Sequence, residues 1–404
     1  MCKMDEGVAV LLVAGLLGLS CSGPSGMKIS GGKGGAGGEA AGGTVATLGG
    51  QGGQACPPLA IGTQPVALAS QQPSPWAIAT DGANVVWLNL GKDNSAGKTV
   101  GYPPWGDGQV VKYAIDGCDA SPSAIASGLS QFYQITSASG IATDGTNVYW
   151  SDAGDALTLE QTGDLSPRLL KCAVGGCENA PLALGAFHAC AIAVNSTNIY
   201  WTNGCAGSPE APVLTCPIAG CDPTPTTLWS ADGGSAVGLA IDANSVYWST
   251  TFEVMKCPLG GCKGSPAVLA SFSTGLTNLG LIALDADNIY FIGTNFNDAL
   301  PRILVCAKAG CADRPVTLAT AADPQASFVA IATDGTSVYW TESSNAAGGG
   351  VVRRCGTSGC AGTPETIASG LNYPGGIAVD TRNVYWTESG LSSDDGKVWA
   401  VAKP

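Results

Sequence analysis

Residues Ala330 to Trp340 read AIATDGTSVYW, and this short stretch decides the fold. It contains a small apolar segment, an Asp-Gly turn and then Val-Tyr-Trp. An Asp-Gly pair between two apolar runs is a strong signal for a β-hairpin, because both residues tolerate the backbone angles of a tight turn. The stretch therefore predicts two antiparallel strands joined by that turn.

The same pattern occurs seven times in the chain after residue 55. Each copy has an Asp or Asn at its turn, namely Asp81, Asp144, Asn195, Asp242, Asp285, Asp334 and Asp380. Successive turn residues are 63, 51, 47, 43, 49 and 46 positions apart. This period is typical of a β-propeller, in which each repeat forms one four-stranded sheet, or blade.

Each copy continues into a third and a fourth strand. Residues 254–270, for example, enter a Gly-Gly turn and return as the apolar run Pro266 to Ala270. The last copy ends after its third strand, Gly396 to Val401, whereas Pro65 to Ala69, before the first copy, matches a fourth strand. We expect this N-terminal strand to complete the last blade, because the join removes a free sheet edge. The predicted fold is an all-β, seven-bladed β-propeller over residues 56–404.

The N-terminal segment predicts export. The apolar run Val8 to Leu17 is too short to cross a bilayer and has the length of a signal-peptide core. The sequence Leu17 to Cys21 resembles a bacterial lipoprotein signal, whose cysteine is acylated after cleavage. Cleavage without a lipid is the alternative, and we favour lipidation at Cys21. Residues 1–21 are then the signal peptide.

Residues 22–55 are rich in Gly and have no apolar periodicity. They predict a disordered, flexible tether that holds the propeller away from a membrane surface. We therefore expect a monomeric protein of the cell envelope, at the outer membrane or in the periplasm, that contacts the membrane through its lipid alone.

Most cysteines recur in one place of the repeat. Five copies carry Cys-x4-Cys across the hairpin of the third and fourth strands: Cys172 and Cys177, Cys216 and Cys221, Cys257 and Cys262, Cys306 and Cys311, and Cys355 and Cys360. In an exported protein these pairs predict disulfides. A zinc site is the weaker interpretation, because zinc motifs usually combine closely spaced Cys or His pairs, and His188 is the only histidine.

Four cysteines outside these pairs lie in the region predicted to be the propeller. Cys190 and Cys205 flank the first hairpin of the third copy, where we expect a sixth disulfide. Cys56 and Cys118 each align with one member of the repeated pair. They could bond across the ring closure, and the sequence leaves this pairing open.

The segments after the turns resemble a known family. Tyr149 to Asp152, Tyr200 to Asn203, Tyr339 to Glu342 and Tyr385 to Glu388 are similar to the YWTD repeats of low-density-lipoprotein-receptor-type β-propellers. That family has six blades and lacks the Cys-x4-Cys hairpin, and its fourth-position Asp is present here only as Asp152. The resemblance implies the fold, and it does not imply receptor function. The chain also looks like uncharacterised exported bacterial propellers.

Composition excludes one class of partner. The formal net charge is −13, and the sequence has no cluster of Lys and Arg. Nucleic-acid binding needs such a cluster to neutralise phosphates. We therefore expect no nucleic-acid partner.

The repeated Asp, Tyr and Trp are predicted to be structural, because a residue that is present in every blade usually serves the geometry of the blade. Function is expected in the loops that vary, namely those from the second to the third strand and from the fourth strand to the next blade. These loops share one rim. The candidate binding residues on that rim are Trp76, Tyr102, Trp105, Phe132, Tyr133, His188 and Tyr373, with Phe272 and Phe328 as further rim aromatics.

No catalytic constellation is visible in the sequence. A lone His188 beside an expected disulfide is more often structural than a general base, and we assign no catalytic residue and no metal ligand. The predicted function is a non-catalytic binding or scaffold module for a protein or glycan. The alternative is a metal-dependent enzyme of the lactonase or lyase type with its site near the central channel. We expect no cofactor, and Ca²⁺ is the one ion left open.

Overall fold

The computed structural model describes residues 61–91, 107–115, 121–129, 140–152, 167–204, 211–221, 224–230, 235–272, 276–277, 279–295, 297–392 and 394–403. These residues belong to one compact unit. Their regular secondary structure consists of strands. Within these ranges, no helix has the length and apolar character that a membrane span requires.

The strands form seven antiparallel sheets, which we number as blades. Strand β1 (Val66–Gln72) precedes the first complete sheet. Blade 1 contains β2 (Pro75–Thr80), β3 (Asn84–Asn89), β4 (Gly108–Ala114) and β5 (Ser123–Leu129). Blade 2 contains β6 (Ile141–Thr143), β7 (Asn147–Asp152), β8 (Arg168–Ala173) and β9 (Leu182–Gly185). Blade 3 contains β10 (Ala189–Val194), β11 (Asn198–Asn203), β12 (Val213–Pro217) and β13 (Thr226–Trp229).

The remaining blades follow the same plan. Blade 4 contains β14 (Leu239–Ile241), β15 (Ser245–Ser249), β16 (Glu253–Pro258) and β17 (Ala267–Ser271). Blade 5 contains β18 (Leu276–Thr277), β19 (Ile282–Leu284), β20 (Asn288–Asn295), β21 (Pro301–Ala307) and β22 (Val316–Thr320). Blade 6 contains β23 (Ser327–Thr333), β24 (Ser337–Ser343), β25 (Gly350–Gly356) and β26 (Glu365–Leu371). Blade 7 contains β27 (Pro374–Val379), β28 (Asn383–Glu388) and β29 (Gly396–Ala402).

The first strands of the blades form a closed circle around the axis. Neighbouring first strands are in contact in the order β2, β6, β10, β14, β19, β23, β27 and back to β2. The seven-bladed propeller predicted from the repeat is therefore confirmed.

Blade 7 is completed by the N-terminal strand, as predicted. β1 pairs antiparallel with β29, with Ala67 opposite Trp399. The chain then passes directly into blade 1, and Gln72 joins the two blades. Its Oε1 accepts hydrogen bonds from Trp87 Nε1 at 3.3 Å and from Asn89 Nδ2 at 3.0 Å. The ring is thus closed by backbone pairing and by side-chain bonds.

The repeated aromatic residues form the core between blades. Tyr149 of blade 2 and Trp201 of blade 3 belong to one buried cluster, and Tyr200 and Trp248 repeat this contact one blade further on. All four side chains are almost fully buried. Burial of an apolar side chain of the size of Phe stabilises a fold by roughly 1.5–3 kcal/mol. The prediction that these residues pack between blades is confirmed.

The turn aspartates serve the hairpins. Asp242 Oδ1 accepts the backbone N–H groups of Asn244 and Ser245, both at 2.9 Å, and Oδ2 accepts the hydroxyl of Tyr247 at 2.9 Å. The same Asp-Tyr bond occurs in blades 2, 5, 6 and 7. Gly335 follows Asp334 with φ +85°, a conformation that glycine adopts without strain. The structural interpretation of the repeated Asp is therefore confirmed.

In blades 4, 6 and 7, the Ser or Thr after the repeated Trp links adjacent blades. Thr387 Oγ1 donates to the carbonyl oxygen of Trp76 at 2.6 Å, and Thr341 Oγ1 donates to that of Gly375, also at 2.6 Å. Ser249 makes the same bond between blades 4 and 5. The sequence analysis missed this role, although the recurrence of Ser or Thr after Trp was a visible signal.

The five predicted Cys-x4-Cys disulfides are present, with Cα–Cα distances of 5.2 to 5.6 Å. They lie against the preceding blade. The sulfur atoms of Cys306 and Cys311 are each 4.0 Å from the carbonyl oxygen of Leu269. Asp313, which follows this pair, accepts the backbone N–H of Ser271 at 2.6 Å. Each such turn therefore reinforces its own hairpin and also docks on the neighbouring blade.

Cys190 is disulfide-bonded. Its predicted partner, Cys205, lies outside the described residues, as do Cys21, Cys56 and Cys118.

Candidate functional site: the upper face of the propeller

The two ends of the propeller differ in the loops that they carry. We call the lower face the end with the Asp turns and the disulfide-bonded turns, which are alike from blade to blade. The upper face carries the loops from second to third strands and from fourth strands to the next blade. Function was predicted on this upper face. Four of its candidate residues, Tyr102, Trp105, Phe132 and Tyr133, lie outside the described residues.

His188 is half-buried at the upper end of blade 3. Burial lowers the pKa of its imidazole, so the ring is neutral near pH 7. Its carbonyl oxygen accepts the N–H of Gly204 at 2.8 Å, which ties the entry of blade 3 to the end of its second strand. These features agree with a structural residue.

Trp76 is half-buried near the upper end of the axis. Its ring lies over Gly375, where an added Cβ would come within 3.2 Å of Trp76 Cε3. Its carbonyl oxygen is the acceptor of the Thr387 bond between blades. Trp76 is therefore built into the seam between blades 7 and 1.

Two of the expected rim aromatics are buried instead of exposed. Phe272 is 4% exposed and packs on Phe291, with ring centroids 5.9 Å apart. Phe328 is 7% exposed and packs on Trp340 at 6.0 Å. The expectation that these two rings form a binding surface is wrong, because both turn inward and extend the core between blades.

Tyr373 differs from these residues because its side chain is 40% exposed. It has φ +53° and precedes Pro374. The left-handed region is unfavourable for a residue with a Cβ, and proline restricts the residue before it further. Such a conformation persists only where the surroundings fix it.

Hydrogen bonds hold the Tyr373 loop in this conformation. The carbonyl oxygens of Asn372 and Tyr373 accept the N–H groups of Gly390 and Ser389, both at 3.1 Å. Asn372 N–H donates to Glu388 Oε1 at 2.8 Å, and Oε2 of the same carboxylate accepts Trp399 Nε1 at 2.7 Å. Glu388 is 4% exposed, so this carboxylate supports the loop from below.

The bonds continue into both neighbouring blades. Asn372 Oδ1 accepts the N–H of Gly348 from blade 6 at 2.7 Å. Ser389 Oγ donates to the carbonyl oxygen of Pro75 in blade 1 at 2.9 Å. There, the 73–74 loop repeats the arrangement of 372–373, with Ser74 at φ +54°. We call residues 73–74, 348, 372–373 and 389–391 the platform.

The platform presents apolar surface to solvent. Leu391, at the end of the 389–391 segment, is 59% exposed and lies on the same blade as Tyr373. Ser74 occupies the position in blade 1 that is equivalent to Tyr373 in blade 7, so the loop conformation does not require an aromatic ring. The ring of Tyr373 is therefore free to serve a contact.

The axis of the propeller is lined by aliphatic side chains. A cavity of about 90 Å³ is bordered by one Ile or Leu from each of six blades, at the same position of the repeat, and by Leu281 and Ala330. The six are Ile78, Ile141, Leu239, Ile282, Ile331 and Ile377. Within the described ranges, no three His, Cys, Asp or Glu side chains form a group that could hold a metal ion.

Acidic side chains near the upper ends of second strands are used in ion pairs. Asp152 Oδ2 lies 2.6 Å from Arg168 Nη2, and Glu342 Oε2 lies 2.9 Å from Arg353 Nε. Both carboxylates are buried, so the arginines compensate charges that burial would otherwise disfavour. These pairs join second and third strands.

Comparison with known proteins does not assign this chain to a family. No protein-family model matches the chain. No curated protein sequence matches it either. An acylaminoacyl peptidase in complex with Z-Gly-Gly-Phe-chloromethyl ketone superposes with a TM-score of 0.49 at 10% identity, over 78% of this chain and 49% of that chain.

Two further solved structures are similar. One comes from work on two prolyl endopeptidases and superposes with a TM-score of 0.49 at 12% identity, over 84% of this chain and 48% of that chain. The putative TolB from Agrobacterium tumefaciens superposes with a TM-score of 0.40 at 12% identity, over 65% of this chain and 87% of that chain. The chain spans about half the length of the two peptidase chains. These likenesses concern the fold alone.

Proposed function

We propose that this protein is an exported cell-envelope β-propeller that acts as a non-catalytic binding or scaffold module for a protein or glycan. The platform on blades 6, 7 and 1 is its contact surface. The observation that carries the proposal is the exposed ring of Tyr373, which a strained loop with hydrogen bonds to three blades holds toward solvent. Rigid aromatic side chains bind partners at a low cost in conformational entropy.

The side chains at the axis favour this proposal over a metal-dependent lactonase or lyase. Chemistry of that kind needs carboxylate, amide or imidazole ligands that converge on one point. The repeat places Ile or Leu at the axial positions of six blades, where such ligands would have to stand. We expect no resident cofactor, and metal analysis with a calcium titration of the purified protein checks this expectation.

Export is supported by the disulfides. Structural disulfides of this kind are found in proteins of oxidising compartments and are rare in the cytosol. The apolar run and Cys21 at the N-terminus favour lipidation at that cysteine and attachment to the cell envelope. We also propose a distant relationship to YWTD repeats. The repeated Tyr, Trp and Thr stabilise the packing between blades here, and a distant relative would need them for the same purpose.

The test places a photo-crosslinking amino acid, p-benzoyl-phenylalanine, at position 373 of the full chain in the cells that export it. A control chain carries it at Val316, which is exposed on the outer strand of blade 5. We expect covalent adducts of defined mass from position 373 and none of the same mass from position 316. Absence of an adduct at 373, or the same adducts at both positions, would contradict the proposal.

A second measurement separates loss of binding from loss of folding. Tyr373→Ser is chosen because Ser74 already occupies the equivalent conformation in blade 1. The variant should keep the thermal stability of the parent chain and lose affinity for the crosslinked partner. Retained affinity in this folded variant would show that the ring takes no part in binding.

A further inference from the structure

Charge is distributed unequally between the two faces of the propeller. In the described part of the chain, the acidic residues of the upper face are Asp107, Asp152, Glu253, Asp298, Asp323, Glu342, Glu388, Asp394 and Asp395. The basic residues of that face are Arg168, Arg302, Arg353 and Lys397. Acids therefore clearly outnumber bases there.

The few bases of the upper face are already occupied. Arg168 and Arg353 belong to the ion pairs described above, and Arg302 pairs with Asp298 at 2.5 Å. The ammonium group of Lys397 lies 5.2 Å from the ring centroid of Trp399. Three of these four bases are therefore neutralised by carboxylates, and the part of the upper face that the structure describes keeps a net excess of negative charge.

On the lower face, lysines join neighbouring blades. Lys308 and Lys403 bind Asp242 and Asp334 across blade seams, at 2.9 and 2.8 Å. Lys112 and Lys171 donate to backbone carbonyl oxygens of the next blade. Most lysines of the described chain thus serve the seams at the lower end, and Lys397 is the one lysine among the described residues of the upper face.

Acidic residues border the apolar part of the platform. Asp395 accepts the backbone N–H groups of Leu391 and Ser392 at 3.1 and 3.0 Å, which places its carboxylate beside the exposed Leu391. Asp394 is the residue before it in the chain. On the blade 1 side, the carboxylate of Asp107 lies against Gly91, whose N–H bonds to Pro73 of the platform. An apolar centre is therefore flanked by carboxylates on both sides.

We infer that the platform takes a cationic protein segment, in which Lys or Arg side chains flank an apolar side chain. This inference rests on the proposed function and names the partner class of the same site. The apolar side chain packs on Tyr373 and Leu391, and the negative charge of Asp107, Asp394 and Asp395 around them attracts the cations. Complementary charge accelerates association and excludes acidic partners, and its effect weakens as salt shortens the screening length, which is about 8 Å at physiological ionic strength.

The test uses defined probes with the purified full chain. One synthetic peptide alternates Lys and Leu around a single Trp; a second replaces every Lys with Glu, and a third replaces every Leu with Ser. Fluorescence anisotropy at several salt concentrations gives the dissociation constants. We expect the Lys and Leu peptide to bind with an affinity that falls as salt rises, and the other two to bind at least about tenfold more weakly.

Substitutions locate the binding. Asp394→Asn with Asp395→Asn removes both charges and keeps one of the two oxygens by which Asp395 accepts Leu391 and Ser392. It should weaken binding by about three- to tenfold, and Tyr373→Ser by about tenfold. The matched control, Glu178→Gln with Asp287→Asn, removes the same charge from exposed positions of the lower face. It should change the dissociation constant by less than about twofold.

Equal losses in the upper-face and lower-face variants would mean nonspecific charge attraction and would overturn the inference. Binding of the Glu peptide as strong as that of the Lys peptide would overturn it as well. The proposed function has a separate readout. If crosslinking at position 373 captures a glycan or an acidic protein, the platform is a binding surface and the inference about its partner is wrong. If nothing is captured there, the proposed function fails.

Discussion

The ammonium group of Lys403 lies 2.8 Å from Oδ2 of Asp334 and joins the last blade to the sixth. Blades 5 and 4 are joined in the same way by Lys308 and Asp242. Burial alone would raise the pKa of the Asp334 carboxyl. The hydrogen bonds from Lys403 and Thr336 outweigh it and bring the pKa well below its usual value.

Replacement of Lys403 by Met should lower the free energy of unfolding by about 1 kcal/mol at pH 7. Because the folded pKa of Asp334 is depressed, its stabilising contribution is present above about pH 4 and is lost as the pH falls through the folded pKa. Urea unfolding from pH 7 to pH 2 should therefore show the two chains converging at low pH. Lys263→Met, at an exposed lower turn, is the control and should match the parent chain throughout.

Tyr247 should ionise late in an alkaline titration. Burial raises its pKa to about 12, with the bond to Asp242 and the charge of that carboxylate adding to the effect. The stability that this group contributes is complete below about pH 10 and is lost as the pH rises toward 12. Absorbance at 295 nm, compared between the parent chain and Tyr247→Phe, should differ near pH 12. A difference near pH 10 between the folded chains would contradict the expectation. In urea, the tyrosines of both unfolded chains should ionise near pH 10.

Loss of one disulfide should loosen two blades. Cys306→Ser with Cys311→Ser removes a short loop closure, which contributes about 2 kcal/mol on the chain-entropy model. Because this turn docks on β17 through Leu269 and Ser271, hydrogen exchange should accelerate in β17 as well as in β21 and β22. Cys355→Ser with Cys360→Ser should affect β22, β25 and β26 and spare β17. Exchange confined to the mutated hairpin would show that docking contributes nothing.

The bond between Thr387 and the Trp76 carbonyl oxygen tests how ring closure contributes to stability. Thr387→Val keeps the shape of the side chain and leaves a partly buried carbonyl oxygen without its donor, which costs about 1 kcal/mol. Thr387→Ser keeps the hydroxyl and should cost much less. Equal stability of the two variants in urea unfolding would show that the seam between blades 7 and 1 does not depend on this bond.

The fold could be predicted because its decisive signals are local and repeated. The Asp turns set the hairpins, and their spacing of 43 to 63 residues set the blades. The match of Pro65 to Ala69 with a fourth strand predicted ring closure, and β1 begins within that segment at Val66. Contacts between blades were less visible. The role of Thr387 depends on a carbonyl of another blade, 311 positions away in the chain.

Exposure of the rim aromatics could be predicted only in part. Phe328 lies three positions before the axial Ile331, and Tyr373 lies four positions before the equivalent Ile377. Phe328 lies within β23, whereas Tyr373 lies just before β27, so this offset of one residue places one ring in the sheet and the other in an exposed loop. Aligning the repeats on the axial residue would have distinguished the two. The left-handed conformation of Tyr373 could not be predicted, because bonds from Ser389 and Gly390 fix it.

At position 373, the residue that gives the highest stability should differ from the residue that gives the strongest binding. Asn tolerates the left-handed region better than Tyr, so Tyr373→Asn should raise the free energy of unfolding by about 1 kcal/mol while it removes the ring. Ala361→Asn makes the same backbone change in a lower turn of blade 6, where φ is +51°, and should raise stability without weakening binding. Urea unfolding and affinity for the crosslinked partner are measured on both chains. If Tyr373→Asn is no more stable than its parent, contacts of the ring compensate the backbone strain. If the variant also binds the partner normally, the ring takes no part in binding, and the platform only connects the blades.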